Sequence, residues 1–135
     1  MSGPGNYNQT IIEQYRANGG KVDFPLPLLL LTTTGAKSSR PHTAPVAYSR
    51  DGDRLVIAAS KGGAPSNPAW YHNLLANPIV TVELGTERFQ ARATLVEGAE
   101  RERLYAQHAA QMPVFAEYPH KTTRQIPVIV LERID

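Results

Sequence analysis

Residues 43–60 read Thr-Ala-Pro-Val-Ala-Tyr-Ser-Arg-Asp-Gly-Asp-Arg-Leu-Val-Ile-Ala-Ala-Ser. An Asp-Gly step between two apolar runs is a strong hairpin signal. Strands are therefore predicted over Thr43–Ser49 and Leu55–Ser60, turning through Arg50-Asp51-Gly52-Asp53. Pro45 has no amide proton to give a ladder, so the first strand belongs at an edge or a bulge.

Upstream, Leu26–Thr34 is a short apolar, β-branched run that ends at Gly35 and reads as a buried strand. Before it, Ile11, Ile12 and Tyr15 share a face at helical spacing between Thr10 and Asn18, and Gly19-Gly20 stops the helix. Residues 1–9 read as a polar, frayed end. The helix's apolar face either docks on its own domain or touches a membrane surface.

Downstream, Asn67-Pro68 reads as a helix start, with Asn as cap and Pro at the first helical position. Trp70, Tyr71, Leu74 and Leu75 give that helix an apolar side, and Asn77-Pro78 ends it. Strands Ile79–Leu84 and Arg88–Val96 follow, then a helix over Glu97–Gln111 and a last strand over Ile126–Ile134. Consecutive strands joined by tight turns pair antiparallel. About six such strands with few helices predict a small closed barrel, which removes exposed sheet edges. The expected organisation is a polar segment with a short helix over 1–20 and a single barrel domain over 21–135.

The 135 residues carry a formal net charge of only +2 and no cysteine. Disulfides, thiolate metal sites and a cysteine nucleophile are excluded. The basic residues are spread along the chain, which does not describe a nucleic-acid surface. No stretch reaches the roughly 18 apolar residues of a membrane span, and no basic head precedes an apolar run as in a secretory signal. A cytoplasmic protein is expected. Nothing here fixes the oligomeric state.

Two loops concentrate chemistry. Gly35-Ala36-Lys37-Ser38-Ser39-Arg40-Pro41-His42 leaves a strand with hydroxyls and cations able to hold phosphate oxygens. It lacks the Gly/Lys/Ser spacing of a Walker loop, and a plain solvated hairpin would look similar. Ser60-Lys61-Gly62-Gly63-Ala64-Pro65-Ser66 feeds a helix start, where paired glycines and the helix dipole favour an approaching anion. The four histidines, His42, His72, His108 and His120, have no metal-ligand spacing, so no metal site is expected. No acid/base dyad or nucleophile elbow is evident. A bound redox cofactor would carry the chemistry itself and leave the protein to orient it.

Three runs carry a resemblance: Leu30-Leu31-Thr32-Thr33-Thr34-Gly35-Ala36-Lys37-Ser38, Val56-Ile57-Ala58-Ala59-Ser60-Lys61-Gly62-Gly63-Ala64, and Asn67-Pro68-Ala69-Trp70-Tyr71-His72-Asn73-Leu74-Leu75-Ala76-Asn77-Pro78. With Arg124-Gln125-Ile126-Pro127-Val128-Ile129-Val130, they resemble the deazaflavin-dependent nitroreductase family. The resemblance implies a split β-barrel and coenzyme F420, a deazaflavin with a phosphodiester and an oligoglutamate tail. It implies hydride transfer to a small-molecule acceptor: a quinone, an enone or a nitroaromatic. An FMN- or haem-binder on the same barrel, or a non-catalytic F420 carrier, are the alternatives.

Carried over by position, Lys37 and Ser38 match residues that hold tail and phosphate, and Ser60 and Lys61 match the second phosphate loop. Pro45, Val46, Ala58 and Ala59 match a floor beneath the ring, and Trp70, Tyr71 and Asn73 the helix that closes the pocket. Phe115 and Tyr118 match an aromatic segment over ring and substrate, with Tyr118 the candidate proton donor. His42 stands where many members have Arg, and Arg40, two positions earlier, is the candidate replacement. Ala47 and Met112 fall where some nitro-reducing members have Tyr, and Phe115 lacks a phenolic hydroxyl, which favours quinones and enones over nitro compounds. Met112, Phe115 and Tyr118 form the expected acceptor side.

Overall fold

The computed structural model describes residues 4–64 and 66–134. Seven strands form one antiparallel sheet: β1 (Leu28–Thr34), β2 (Pro41–Ala47), β3 (Ser49–Asp51), β4 (Arg54–Ala58), β5 (Ile79–Leu84), β6 (Glu87–Val96) and β7 (Val128–Arg133). Their spatial order is β2-β1-β5-β6-β7-β4-β3. Three helices flank it: α1 (Pro4–Ala17), α2 (Ala69–Ala76) and α3 (Gly98–Gln111).

The run expected as one strand, Thr43–Ser49, is two. β2 pairs only with β1, from Leu28↔Ala47 to Thr34↔Pro41, whereas β3 pairs only with β4 at the far side of the sheet. The chain breaks at Tyr48, whose amide donates to the Pro27 carbonyl at 3.2 Å. One stretch of chain thus supplies both edges of the sheet, which is how it curls into a split barrel. Pro45, paired with Leu30, sits on the edge strand β2, where a missing amide leaves no ladder bond unmade. Gly52 turns the β3–β4 hairpin at φ +61°.

The continuous apolar runs follow from burial on both faces. Leu29, Leu31, Leu55, Ile57, Ile129 and Leu131 point inward and meet Leu74 of α2. Their neighbours face outward under helices: Leu28 and Leu30 under Ile11, Ile12 and Tyr15 of α1, and Val56, Ala58, Val128 and Val130 under Leu104 and Tyr105 of α3. β6 has one solvated face, so Phe89, Ala91 and Ala93 are buried while Gln90, Arg92 and Thr94 are exposed.

Two helix expectations change. α1 begins at Pro4, not Thr10, since a proline's fixed φ suits a first helical turn; residues 1–3 of the expected frayed end lie outside the described residues. Ile11, Ile12 and Tyr15 are 5, 5 and 2 % exposed. The apolar face that would have touched a membrane is therefore spent on the domain. The Tyr15 hydroxyl accepts from Gly85 N at 2.8 Å, and Arg16 grips Glu83 with two nitrogens, locking α1 to the β5–β6 turn. Among the described residues, no helix is long and apolar enough to cross a membrane. Second, Asn67 does not cap α2: Pro68 occupies the cap position, and Asn67 Oδ1 accepts from Arg124 Nη1 at 2.6 Å.

Candidate active site

A cavity of about 220 Å³ opens between the barrel and the segments that follow α1 and α3. Its floor is Pro45, Val46 and Ala47 from β2 with Ala58 from β4, which are small or rigid side chains that leave a flat apolar surface. Ser60, Lys61, Pro68 and Trp70 form one wall, and Phe115 and Tyr118 another. Phe24, Leu26 and Leu28 complete it. Sequence reasoning assigned no site role to Phe24 or Leu26, because they lie in an irregular connector without periodicity.

The polar wall has an unusual backbone. Ser60 is right-handed at φ −78°, ψ −37°, and Lys61 is left-handed at φ +48°. A right-handed residue followed by a left-handed one turns consecutive amides to one side, forming a nest for an anion. The Lys61 ammonium reaches Ser66 Oγ only at 3.4 Å and is otherwise exposed. Gly63, at φ +83°, lets the loop lie against the 118–121 segment, since a Cβ there would come within 2.9 Å of Lys121 Cβ.

The opposite wall is anchored from behind. Phe115 is 4 % exposed, and its carbonyl accepts from the Tyr105 hydroxyl at 2.6 Å. Its ring meets the His108 ring edge-on at 4.3 Å and the Tyr118 ring at 5.1 Å. His108 is wholly buried and shares a 2.6 Å hydrogen bond between Nδ1 and Ser49 Oγ, while Nε2 has no partner among the described residues. Burial pushes its pKa down to about 4, so the ring is neutral at ordinary pH. Burial, and then the neighbouring Glu117, raise the Tyr118 phenol, which stays protonated.

The remaining expected residues sit elsewhere. Lys37, Ser38 and Arg40 occupy the exposed β1–β2 loop and His42 the exposed start of β2, paired with Thr33, all outside the cavity. That loop is closed by Gly35 N to Arg40 O at 2.8 Å, and Ser38 Oγ bonds His42 Nε2 at 3.2 Å. Asn73 ties it to α2, accepting from Ala36 N at 3.0 Å and donating to Thr33 Oγ1 at 3.1 Å. Its amide is spent inside the protein, a bracing role. Both basic loops thus meet α2: the second runs directly into it, and the first is pinned one turn along.

Met112, expected on the acceptor side, is 2 % exposed, packs with Leu104, Tyr105 and Phe115, and does not line the cavity. Ala59 is fully buried and Tyr71 packs on the inner core, and neither lines the cavity. No group of three or more potential metal ligands occurs among the described residues.

A match to the family described as F420H(2)-dependent quinone reductase spans residues 8–133. An F420H(2)-dependent quinone reductase of Mycobacterium tuberculosis is 41 % identical over 128 residues, covering 88 % of this chain and 85 % of that protein. Among solved structures, an F420-H2 dependent reductase called FDR-A is 40 % identical, with a TM-score of 0.72 over 78 % of this chain and 94 % of that one. Another, described as a domain-swapped dimer, is 34 % identical, with a TM-score of 0.74 over 96 % of this chain and all of that one.

Proposed function

Because the chain belongs to the F420H(2)-dependent quinone reductase family, we propose that the cavity between Pro45, Lys61 and Tyr118 is where it binds F420 and reduces a quinone. The protein is an F420-dependent oxidoreductase. The carrying observation is the union, in one cavity, of a flat apolar floor with the cationic Lys61 and the nest at Ser60-Lys61.

The residues suit the cofactor. Pro45, Val46 and Ala58 offer a planar ring an uncharged surface. The nest and Lys61 suit a phosphodiester, and the β1–β2 loop, pinned to α2, offers Lys37, Ser38 and Arg40 to an acidic tail, with His42 beside them at the start of β2. When bound in reduced form, F420 supplies the hydride. The chain's own part is to hold, orient and shield. Phe24, Leu26, Phe115 and Tyr118 wall off water and stack an apolar acceptor against the floor in near-attack geometry. The protonated Tyr118 hydroxyl donates to an acceptor oxygen as it gains negative charge. The acceptor side carries no further phenol, because Met112 is buried and position 115 is Phe. That suits quinones better than nitro compounds.

Titration with F420 and with FMN, followed by F420H2 oxidation against quinones, enones and nitroaromatics, tests this. Saturable F420 binding tighter than FMN binding is expected, with a quinone turned over fastest. Tighter FMN binding would overturn the assignment of the anionic arm to Lys61 and its nest.

A further inference from the structure

Arg124 enters the cofactor loop from behind. Its Nη2 donates to Ser60 O at 2.8 Å, its Nε to Ala64 O at 2.9 Å, and its Nη1 to Asn67 Oδ1 at 2.6 Å. One planar guanidinium therefore binds the residue before Lys61, the residue after Gly63, and the residue before the α2 cap. No other side chain among the described residues makes three such contacts with this loop. Arg124 does not line the cavity. Its own segment is fixed: Arg124 N donates to Thr122 Oγ1 at 3.3 Å, and Pro127 O accepts from Ala59 N at 2.9 Å beside β7.

The geometry matters because Lys61 is left-handed without being glycine, a state that persists only where surroundings enforce it. Arg124 holds the Ser60 and Ala64 carbonyls on either side of this turn, so the loop is braced in the conformation that forms the nest. A guanidinium can do this because its donors form a rigid planar fork; an ammonium is a point charge without that shape.

We propose that Arg124 is a positioning residue: it pre-forms the Ser60–Asn67 loop for the anionic arm of F420 and acts on binding through the loop. The inference rests on the cavity reading above. If the loop, once released, is competent only a tenth of the time, apparent affinity falls about tenfold.

The test uses Arg124→Lys and Arg124→Ala beside Lys61→Ala. F420 affinity is read by fluorescence. Hydrogen exchange of the peptide over residues 59–66 is read in the ligand-free protein. Both Arg124 variants should bind F420 roughly ten- to a hundredfold more weakly, with faster exchange in that peptide and kcat at saturating cofactor within about twofold. Millimolar guanidinium should recover part of the affinity in Arg124→Ala. Wild-type affinity in Arg124→Lys would overturn the proposal, because charge alone would then suffice. So would weakened binding with unchanged exchange, which would make Arg124 a direct contact. If Lys61→Ala also binds normally, the cavity reading itself fails; if Lys61→Ala is weakened and Arg124→Lys is not, only this inference fails.

Discussion

Lys61 is held in a conformation that costs stability and makes a contact that serves binding, so replacing it separates the two. At φ +48° a non-glycine residue carries a penalty of roughly 1–2 kcal/mol. Lys61→Gly removes that penalty but adds roughly 0.5–1 kcal/mol of chain entropy lost on folding. The net is a gain between zero and about 1.5 kcal/mol, or a few degrees in Tm for a domain of this size. Nothing offsets it, because the 3.4 Å contact with Ser66 is exposed and long. Binding should move the other way. A hydrogen bond to a charged group contributes roughly 1.5–3 kcal/mol, so F420 affinity should fall about ten- to 150-fold. Solvent exposure of Lys61 favours the low end, and the dependence of affinity on salt should flatten. Lys61→Ala should weaken binding equally with no gain in stability, since alanine keeps the left-handed penalty. The assay is fluorescence titration of F420 at two salt concentrations, paired with thermal unfolding of the ligand-free protein. Unchanged affinity in both variants would refute the anionic-arm assignment. A loss of stability in Lys61→Gly would refute the backbone argument.

Tyr118→Phe keeps the ring against Phe115 and deletes the hydroxyl; F420 affinity should hold while turnover with quinone falls, by roughly 10²-fold if the phenol is the essential donor. A large loss of F420 affinity would put Tyr118 in the cofactor's own binding surface. His108, with a folded pKa of about 4 against an unfolded value near 6.5, makes the unfolded chain bind more protons between those limits. Stability tied to it is complete above about pH 6.5 and is lost as pH falls toward 4, at about 1.4 kcal/mol per pH unit. Urea unfolding across that window should show this slope in the wild type and a flatter one in His108→Phe; equal slopes would mean that His108 is not held neutral.

Fold and site were legible to different depths. The Asp51-Gly52 hairpin and the two-sided burial of β1 and β7 were readable, because turn chemistry and apolar runs are local properties. The break at Tyr48 was not, because it depends on β2 and β3 finding partners at opposite sides of the sheet. Seven of the residues expected from sequence to contact the cofactor, Pro45, Val46, Ala58, Ser60, Lys61, Trp70 and Phe115, line the cavity, where the ends of β2 and β4, the start of α2 and the turn after α3 come together. Met112 and Asn73, expected beside the ligand, lie off the cavity wall, Met112 in the core and Asn73 bonded to Thr33: a thioether after a helix and a polar helix residue look the same in sequence whether they face a pocket or a core. Arg124 belonged to a recognised run but had no assigned role, since its three acceptors are about 60 residues away in sequence, at separations of 57 to 64.

The position of β7 governs how this chain can be made. β4 is translated early, yet its partner on the inner side is β7, with Leu55 opposite Leu131 and Ala58 opposite Val128. β6 waits for the same strand, Ala93 opposite Leu131. Until residues 128–133 leave the ribosome, the β2-β1-β5-β6 strands and the β3–β4 hairpin are two separate pieces, each with a bare hydrogen-bonding edge. At 5–20 residues per second, roughly 4–15 s separate β4 from β7 during synthesis. The nascent chain passes that interval with both edges uncovered, and the sheet is completed only once β7 has emerged.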